Sequence, residues 1–218
     1  LNDGADVAGL ARRFGVPVVT TYKAKGLLPE DDALSMGGAG LSPLADKTLL
    51  PLVQSADLVL CLGYDPIEMR TGWRDVWDST AQRVVEVTAV ANHHYMHQST
   101  VNVVGSVRAT VAALMHAAIP RTTWEGGDVA AAQTALAKAF PTDEDGGPAA
   151  IIDTCRTALP RDTLATADSG AHRILLSQMW RCYAPRALMQ SSALCTMGCA
   201  VPLAMGAALA SPDLTVVS

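Results

Sequence analysis

With 218 residues, half of them hydrophobic and 17% charged, the chain can bury a sizeable core and fits one large domain or one and a half ordinary ones. A net charge of −5 without a basic cluster excludes a nucleic-acid or anionic-membrane surface. No apolar run approaches the roughly 18 residues of a membrane span, and no basic-then-apolar leader opens the chain, so a cytoplasmic protein with no membrane partner is expected. Cysteines at 61, 155, 182, 195 and 199 are odd in number and set in apolar segments, which predicts reduced core thiols; Cys195 and Cys199 read as small buried filler rather than a metal or redox pair. The chain opens at Leu1 rather than Met and stops within an expected strand, so we expect a fragment of a longer polypeptide.

Asp3 to Phe14 carries Val7, Leu10, Ala11 and Phe14 at helical spacing, and Gly15 ends that helix. Val16 to Thr20 is an expected strand. The segment 20–30, with Lys23, Lys25 and Gly26, forms a loop at that strand's carboxyl end, the edge where open α/β sheets bind ligands; the plainer reading is a solvated loop. Met36 to Gly40 reads as a flexible glycine turn, weak as a phosphate signal. Leu44 to Ala56 predicts a helix, Asp57 to Leu62 a strand, Gln82 to Val87 and Val101 to Val104 two more strands, and Val107 to Met115 a helix. Between the last two strands lie His93, His94 and His97. On a helix His93 and His97 would share a face and offer zinc ligands, but no carboxylate or cysteine completes a site, and a solvated connection is the better reading. Strands alternating with helices at this spacing imply a mostly parallel sheet with helices on both faces.

Residues 119–127 read as a linker with Pro120, Gly126 and Gly127, followed by a helix that Asp128 caps and that runs to Phe140. The acidic, glycine-rich run 141–148 is a second linker. Ala149 to Leu159 is an expected helix, Asp162 to Ala167 a strand, 168–173 a turn into a helix over 174–180, and Pro185 to Met189 another strand. The turn places Gly170 and His172 beside free helix N–H groups, a plausible diphosphate cradle; the plainer reading is that His172 caps its helix. Small residues at Gly198, Ala200, Ala204, Gly206, Ala207, Ala208 and Ala210 predict a buried helix that lets a neighbour or ligand approach, with Pro202 in its first turn and a strand at 214–217. Taken alone, Met197 is ordinary core packing.

Thr196-Met-Gly198, then Pro202, then Ala204-x-Gly206-Ala207 before a short strand resembles the cofactor-binding domain of thiamine-diphosphate enzymes, nearest to the acetolactate synthase branch. The first portion resembles the middle domain of the same family through the Val-Pro-Val-Val-Thr-Thr strand at 16–21, the Lys-Gly-x-x-Pro-Glu-Asp turn at 25–31 and the Ala-Asp-Leu-Val-Leu-x-Leu-Gly strand at 56–63. Gly63-Tyr-Asp-Pro-Ile-Glu68 looks like a form seen in catabolic acetolactate synthases.

The resemblance implies an α/β protein: a three-layer, parallel-sheet, Rossmann-like middle domain over 1–118, a linker with a helix over 119–147, and the first part of an α/β thiamine-diphosphate-binding domain over 148–218. It implies decarboxylation of a small-molecule 2-oxo acid such as pyruvate, with the acyl unit passed to an acceptor. A decarboxylase, acyloin lyase or acetyltransferase of the same family is the alternative, as is a non-catalytic nucleotide-binding module. Gly170 and His172 match the family's Gly-Gln-His turn near the diphosphate, with Ala171 in place of the glutamine. Met197 and Gly198 match the Met-Gly whose backbone receives the aminopyrimidine, the methionine supporting the cofactor's bent form. The family's magnesium motif would follow Ser218 and its activating glutamate would lie in an earlier domain, so no catalytic or metal residue is expected among these 218, and no activity from them alone. Some members bind FAD in the middle domain, but the charged Arg-Phe-Asp-Asp-Arg string of those enzymes is replaced by Tyr64 to Glu68, which argues against flavin. A homodimer or homotetramer is implied for the full-length protein.

Overall fold

A computed structural model describes residues 3–92, 96–121, 123–143, 146–192 and 194–218. Its elements in chain order are α1 (Asp3–Phe14), β1 (Val18–Thr21), β2 (Ser35–Ala39), α2 (Pro43–Gln54), β3 (Leu58–Leu62), β4 (Arg83–Thr88), β5 (Val101–Val104), α3 (Val107–Ala117), α4 (Asp128–Ala139), α5 (Pro148–Ala158), β6 (Leu164–Ala167), α6 (Ala171–Met179), β7 (Leu188–Gln190), α7 (Ala200–Ala210) and β8 (Val216–Val217). The strands form three sheets, β1–β2, β3–β4–β5 and β7–β6–β8, and every pairing is parallel. Parallel neighbours need crossover connections: α6 links β6 to β7 and α7 leads on to β8, and the mix of helices with parallel strands is the expected α/β class.

Local chemistry starts the helices where the sequence suggests. Ser42 accepts the N–H of Ala45 and Pro43 stands in the first turn of α2; Ser106 accepts the N–H of Ala109 at the start of α3. Val7 and Leu10 of α1 meet Val111 of α3 over Leu60 and Leu62 of β3. On α2, Ala45, Leu49 and Leu52 pack with Met36 and Ala39 of β2, Ala132 of α4, and Trp73 and Val76. A separate cluster of Ala165, Ala167, Trp180, Cys182, Ala187 and Leu188 fills the space around β6 and β7, with Ile152 and Leu176 of the flanking helices against it.

Several local expectations are corrected. Residues 36–39 belong to strand β2 rather than a flexible turn, and Gly38 lets the Tyr22 ring close in: a Cβ there would lie 2.8 Å from Tyr22 Cδ1. Segment 20–30 is no solvated loop, because Tyr22, Lys25 and Leu28 are all buried. Gly127 at φ +77°, not Asp128, precedes the first turn of α4. α6 begins at Ala171, so His172 and Arg173 lie inside it. The last strand before α7 starts at Leu188, after Arg186 takes a left-handed φ of +68°.

The largest correction concerns α7. It spans Ala200 to Ala210 with Pro202 in its first turn, but only Ala200 and Ala207 are buried, while Val201, Met205 and Leu209 are exposed. Its composition is apolar all round, and the third sheet covers one side only. The cysteines divide too. Cys61 and Cys182 are buried, Cys155 is exposed, and Cys195 and Cys199 are half-buried, all five as free thiols. The zinc reading of His93 and His94 lies outside the described residues. His97 meets the Tyr64 hydroxyl at 3.0 Å and stacks 4.6 Å from the Trp77 ring.

Candidate functional site

β6 is the middle strand of the third sheet, and its carboxyl end opens into Asp168-Ser169-Gly170 before α6. Ligands of open parallel sheets collect at such ends. Gly170 sits at φ +154°, and a Cβ there would lie 2.7 Å from the His172 ring, so the turn and the histidine are packed as a unit. The hydroxyl of Ser169 is buried and has no hydrogen-bond partner among the described residues. Buried hydroxyls without partners are uncommon, and this one stands at a strand's carboxyl end.

The second turn approaches from Thr196 to Cys199. Gly198 takes φ +80° with open space where a side chain would be, and Met197 is 78% exposed. Met197 is thus an exposed apolar side chain beside a backbone open to approach.

Asp168 joins the two turns. Its carboxylate accepts the N–H of Gly198 at 2.6 Å, of Cys199 at 3.2 Å and of Ser169 at 3.0 Å. The Cys199 thiol lies 3.6 Å from the same carboxylate. The Gly198 N–H, and after it the other two amides, hold the carboxyl below the usual range against the opposing effect of desolvation. Of the residues picked from sequence, Gly170 lies in one turn with His172 beside it in the first turn of α6, and Met197 and Gly198 lie in the other, the two joined through Asp168. Asp168 was legible only as a turn residue. A carboxylate at a strand end does not announce that its partners lie 30 residues on.

Arg173, on α6, supports the same region from beneath. Its buried guanidinium donates to Gln190 Oε1 at 2.7 Å, Glu68 Oε1 at 2.7 Å and Cys195 Sγ at 3.0 Å. Burial alone would lower its pKa, but the Glu68 and Cys195 partners outweigh that and raise it. Cys195 is held at a left-handed φ of +49°, costly for a non-glycine residue unless neighbours dictate it. Sequence reasoning passed over Arg173 and Glu68, which lie 105 residues apart.

The lysine-glycine turn of the first portion makes the other junction. Lys25 Nζ is buried against Glu30 at 2.7 Å and 2.8 Å, and Glu30 Oε2 accepts the Cys182 N–H at 2.8 Å. Gln178 donates to the Tyr22 hydroxyl at 2.6 Å and to Gly38 O at 3.1 Å. Lys25 is consumed in this clasp, so the ligand loop expected at 20–30 is a structural contact. Lys23 is half-exposed, 3.9 Å from Asp65. Tyr64 is half-buried among Trp77 and His97, and desolvation raises its pKa.

Residues 2–114 match the family described as thiamine pyrophosphate enzyme, central domain, and residues 168–218 match that described as thiamine pyrophosphate enzyme, C-terminal TPP binding domain. An acetolactate synthase of Bacillus subtilis is 31% identical over 97% of this chain and 38% of its own length. An acetolactate synthase of Mycobacterium bovis is 30% identical over 95% of the chain and 35% of its own length. The large subunit of acetolactate synthase isozyme 1 from Escherichia coli is 28% identical over 98% and 38%. The chain thus spans between 35% and 38% of the length of these relatives.

Proposed function

Because the chain belongs to the thiamine pyrophosphate enzymes, we propose that it forms the middle domain (1–118), linker (119–147) and opening part of the cofactor domain (148–218) of an acetolactate-synthase-like enzyme. In this reading the full-length protein decarboxylates a 2-oxo acid such as pyruvate and transfers the acyl unit to an acceptor. The observation that carries it is the union, through Asp168, of the turn holding Gly170 and His172 with the turn holding Met197 and Gly198, at the carboxyl end of β6.

The residues fit the cofactor. Thiamine diphosphate, when bound, supplies the electron sink that a 2-oxo acid decarboxylation needs. Gly170 and the N-terminal turn of α6 offer backbone N–H groups to the diphosphate, with the Ser169 hydroxyl lacking another partner. The amides of Gly198 and Cys199 already serve Asp168, which assigns anion binding to the α6 turn rather than to α7. Met197 lays an apolar side chain against a ring, and Gly198 lets backbone reach it. Magnesium ligands are assigned outside these residues.

A reading without flavin draws support from the segment 64–68, whose side chains are already engaged: Tyr64 with His97 and Glu68 with Arg173. No helix among the described residues is long and apolar enough to cross a membrane. Homodimeric or homotetrameric assembly and a cytoplasmic location complete the proposal. Calorimetric titration of the full-length protein with thiamine diphosphate and magnesium, followed by assay of carbon dioxide and acetolactate from pyruvate, tests it. Saturable binding with release of both products is expected. Carbon dioxide without acetolactate would move the assignment to a decarboxylase, and absence of binding would end the cofactor reading.

A further inference from the structure

We propose that Asp168 is a positioning residue that sets the Met197–Gly198 turn against the Gly170 turn, and that cofactor affinity depends on this setting. The proposal rests on the cofactor reading above but is carried by different atoms. Three amides from two turns converge on one carboxylate at 2.6–3.2 Å. Two of them come from residues 30 and 31 positions away. Hydrogen bonds to an ionised acceptor are shorter and stronger than neutral ones, and a negative charge at the start of α7 suits the helix dipole.

A simple helix cap would come from the helix's own first residues. Here Cys199 stands in the capping position with helical backbone angles and makes no side-chain cap bond, so the cap is delivered by the opposite turn. The turn from 195 to 199 also carries two left-handed residues, Cys195 at φ +49° and Gly198 at φ +80°. Such a conformation persists only where the surroundings over-determine it. Arg173 holds it at Cys195, and Asp168 holds it at Gly198. Without the carboxylate the turn keeps Arg173 at Cys195 and Ser191 at the Thr196 N–H, but the Gly198 and Cys199 amides beside Met197 lose their acceptor.

The test uses Asp168→Asn and Asp168→Glu in the full-length protein. Asparagine keeps size but presents an NH2 toward amides that need an acceptor; glutamate keeps the charge and displaces it by one methylene. The first readout needs no cofactor: deuterium uptake by the peptide spanning 196–200. Asp168→Asn should speed exchange at Gly198 and Cys199 about tenfold or more while other peptides keep their rates. The second is the thiamine diphosphate dissociation constant, which should rise about 10- to 100-fold, the range that losing a charge-assisted hydrogen bond carries. Asp168→Glu should recover part of both effects. Unchanged exchange at 198–199, or faster exchange with unchanged cofactor affinity, would overturn the proposal. If the wild-type protein bound no thiamine diphosphate, the function proposed above would fall and Asp168's role toward the cofactor with it, while local exchange would still report whether it fastens the turn.

Discussion

Met197 separates two roles that a buried methionine would merge. With its side chain largely in solvent, truncation creates no cavity, so Met197→Ala should change unfolding free energy by no more than about 0.5 kcal/mol. The same variant of the full-length enzyme should show slower deuterium exchange at the thiazolium carbon of bound thiamine diphosphate. A large loss of stability with normal exchange would return the residue to a packing role. Tyr22 offers a second residue-scale test. Burial pushes its hydroxyl up to about 12, against the opposing effect of the Leu41 N–H and Gln178. An unfolded tyrosine titrates near pH 10. Between those values the native phenol keeps a proton that the unfolded one has released, so this contribution to stability is full below about pH 10 and is lost as pH rises toward 12. Absorbance at 295 nm should show one late-ionising tyrosine fewer in Tyr22→Phe than in wild type. Ionisation of Tyr22 near pH 10 in the folded protein would contradict its placement.

At the scale of elements, two glycines predict opposite outcomes. Gly26 sits at φ +79°, and a Cβ there would lie 2.0 Å from Ala184 O, so the turn after β1 can meet the segment before β7 only without a side chain. Gly26→Ala should destabilise by more than about 1 kcal/mol, from backbone strain and overlap together. Gly9 lies inside α1 with nothing within 4 Å of its missing Cβ. There alanine should stabilise by roughly 0.5–1 kcal/mol, because a helix-interior glycine costs about that much relative to alanine. Denaturant midpoints of the two variants, read against wild type, should shift in opposite directions.

At the scale of the whole molecule, a few polar junctions link the first portion to the last sheet. Glu68 and Arg173 join at 2.7 Å with side chains 13% and 6% exposed, and Lys25 and Glu30 lie beside the backbone of Cys182. Glu68→Ala would leave the Arg173 charge buried with one anionic partner removed, a change that costs about 3–5 kcal/mol in comparable pairs. Chemical denaturation of the variant should therefore split into two transitions, the cofactor-binding part loosening at lower denaturant. A single transition at the wild-type midpoint would show that the pair contributes nothing to the union.

The sequence alone determined the parallel α/β class and the order of the elements other than β2. These depend on near-neighbour features: hydrophobic period, runs of β-branched residues, and glycines such as Gly15 where φ turns positive. Only the tertiary structure decided that Ser35 to Ala39 is a strand, since a glycine-rich run extends when a neighbouring strand and the Tyr22 ring require it. It likewise decided that Lys25 is a buried clasp, that Asp168 and Arg173 fasten the Cys195–Cys199 turn, and that α7 shows an apolar face to solvent. Each of these depends on partners 5 to 105 residues distant or on what covers a surface. Composition records that a residue can be buried, whereas burial itself is set by which other elements reach it.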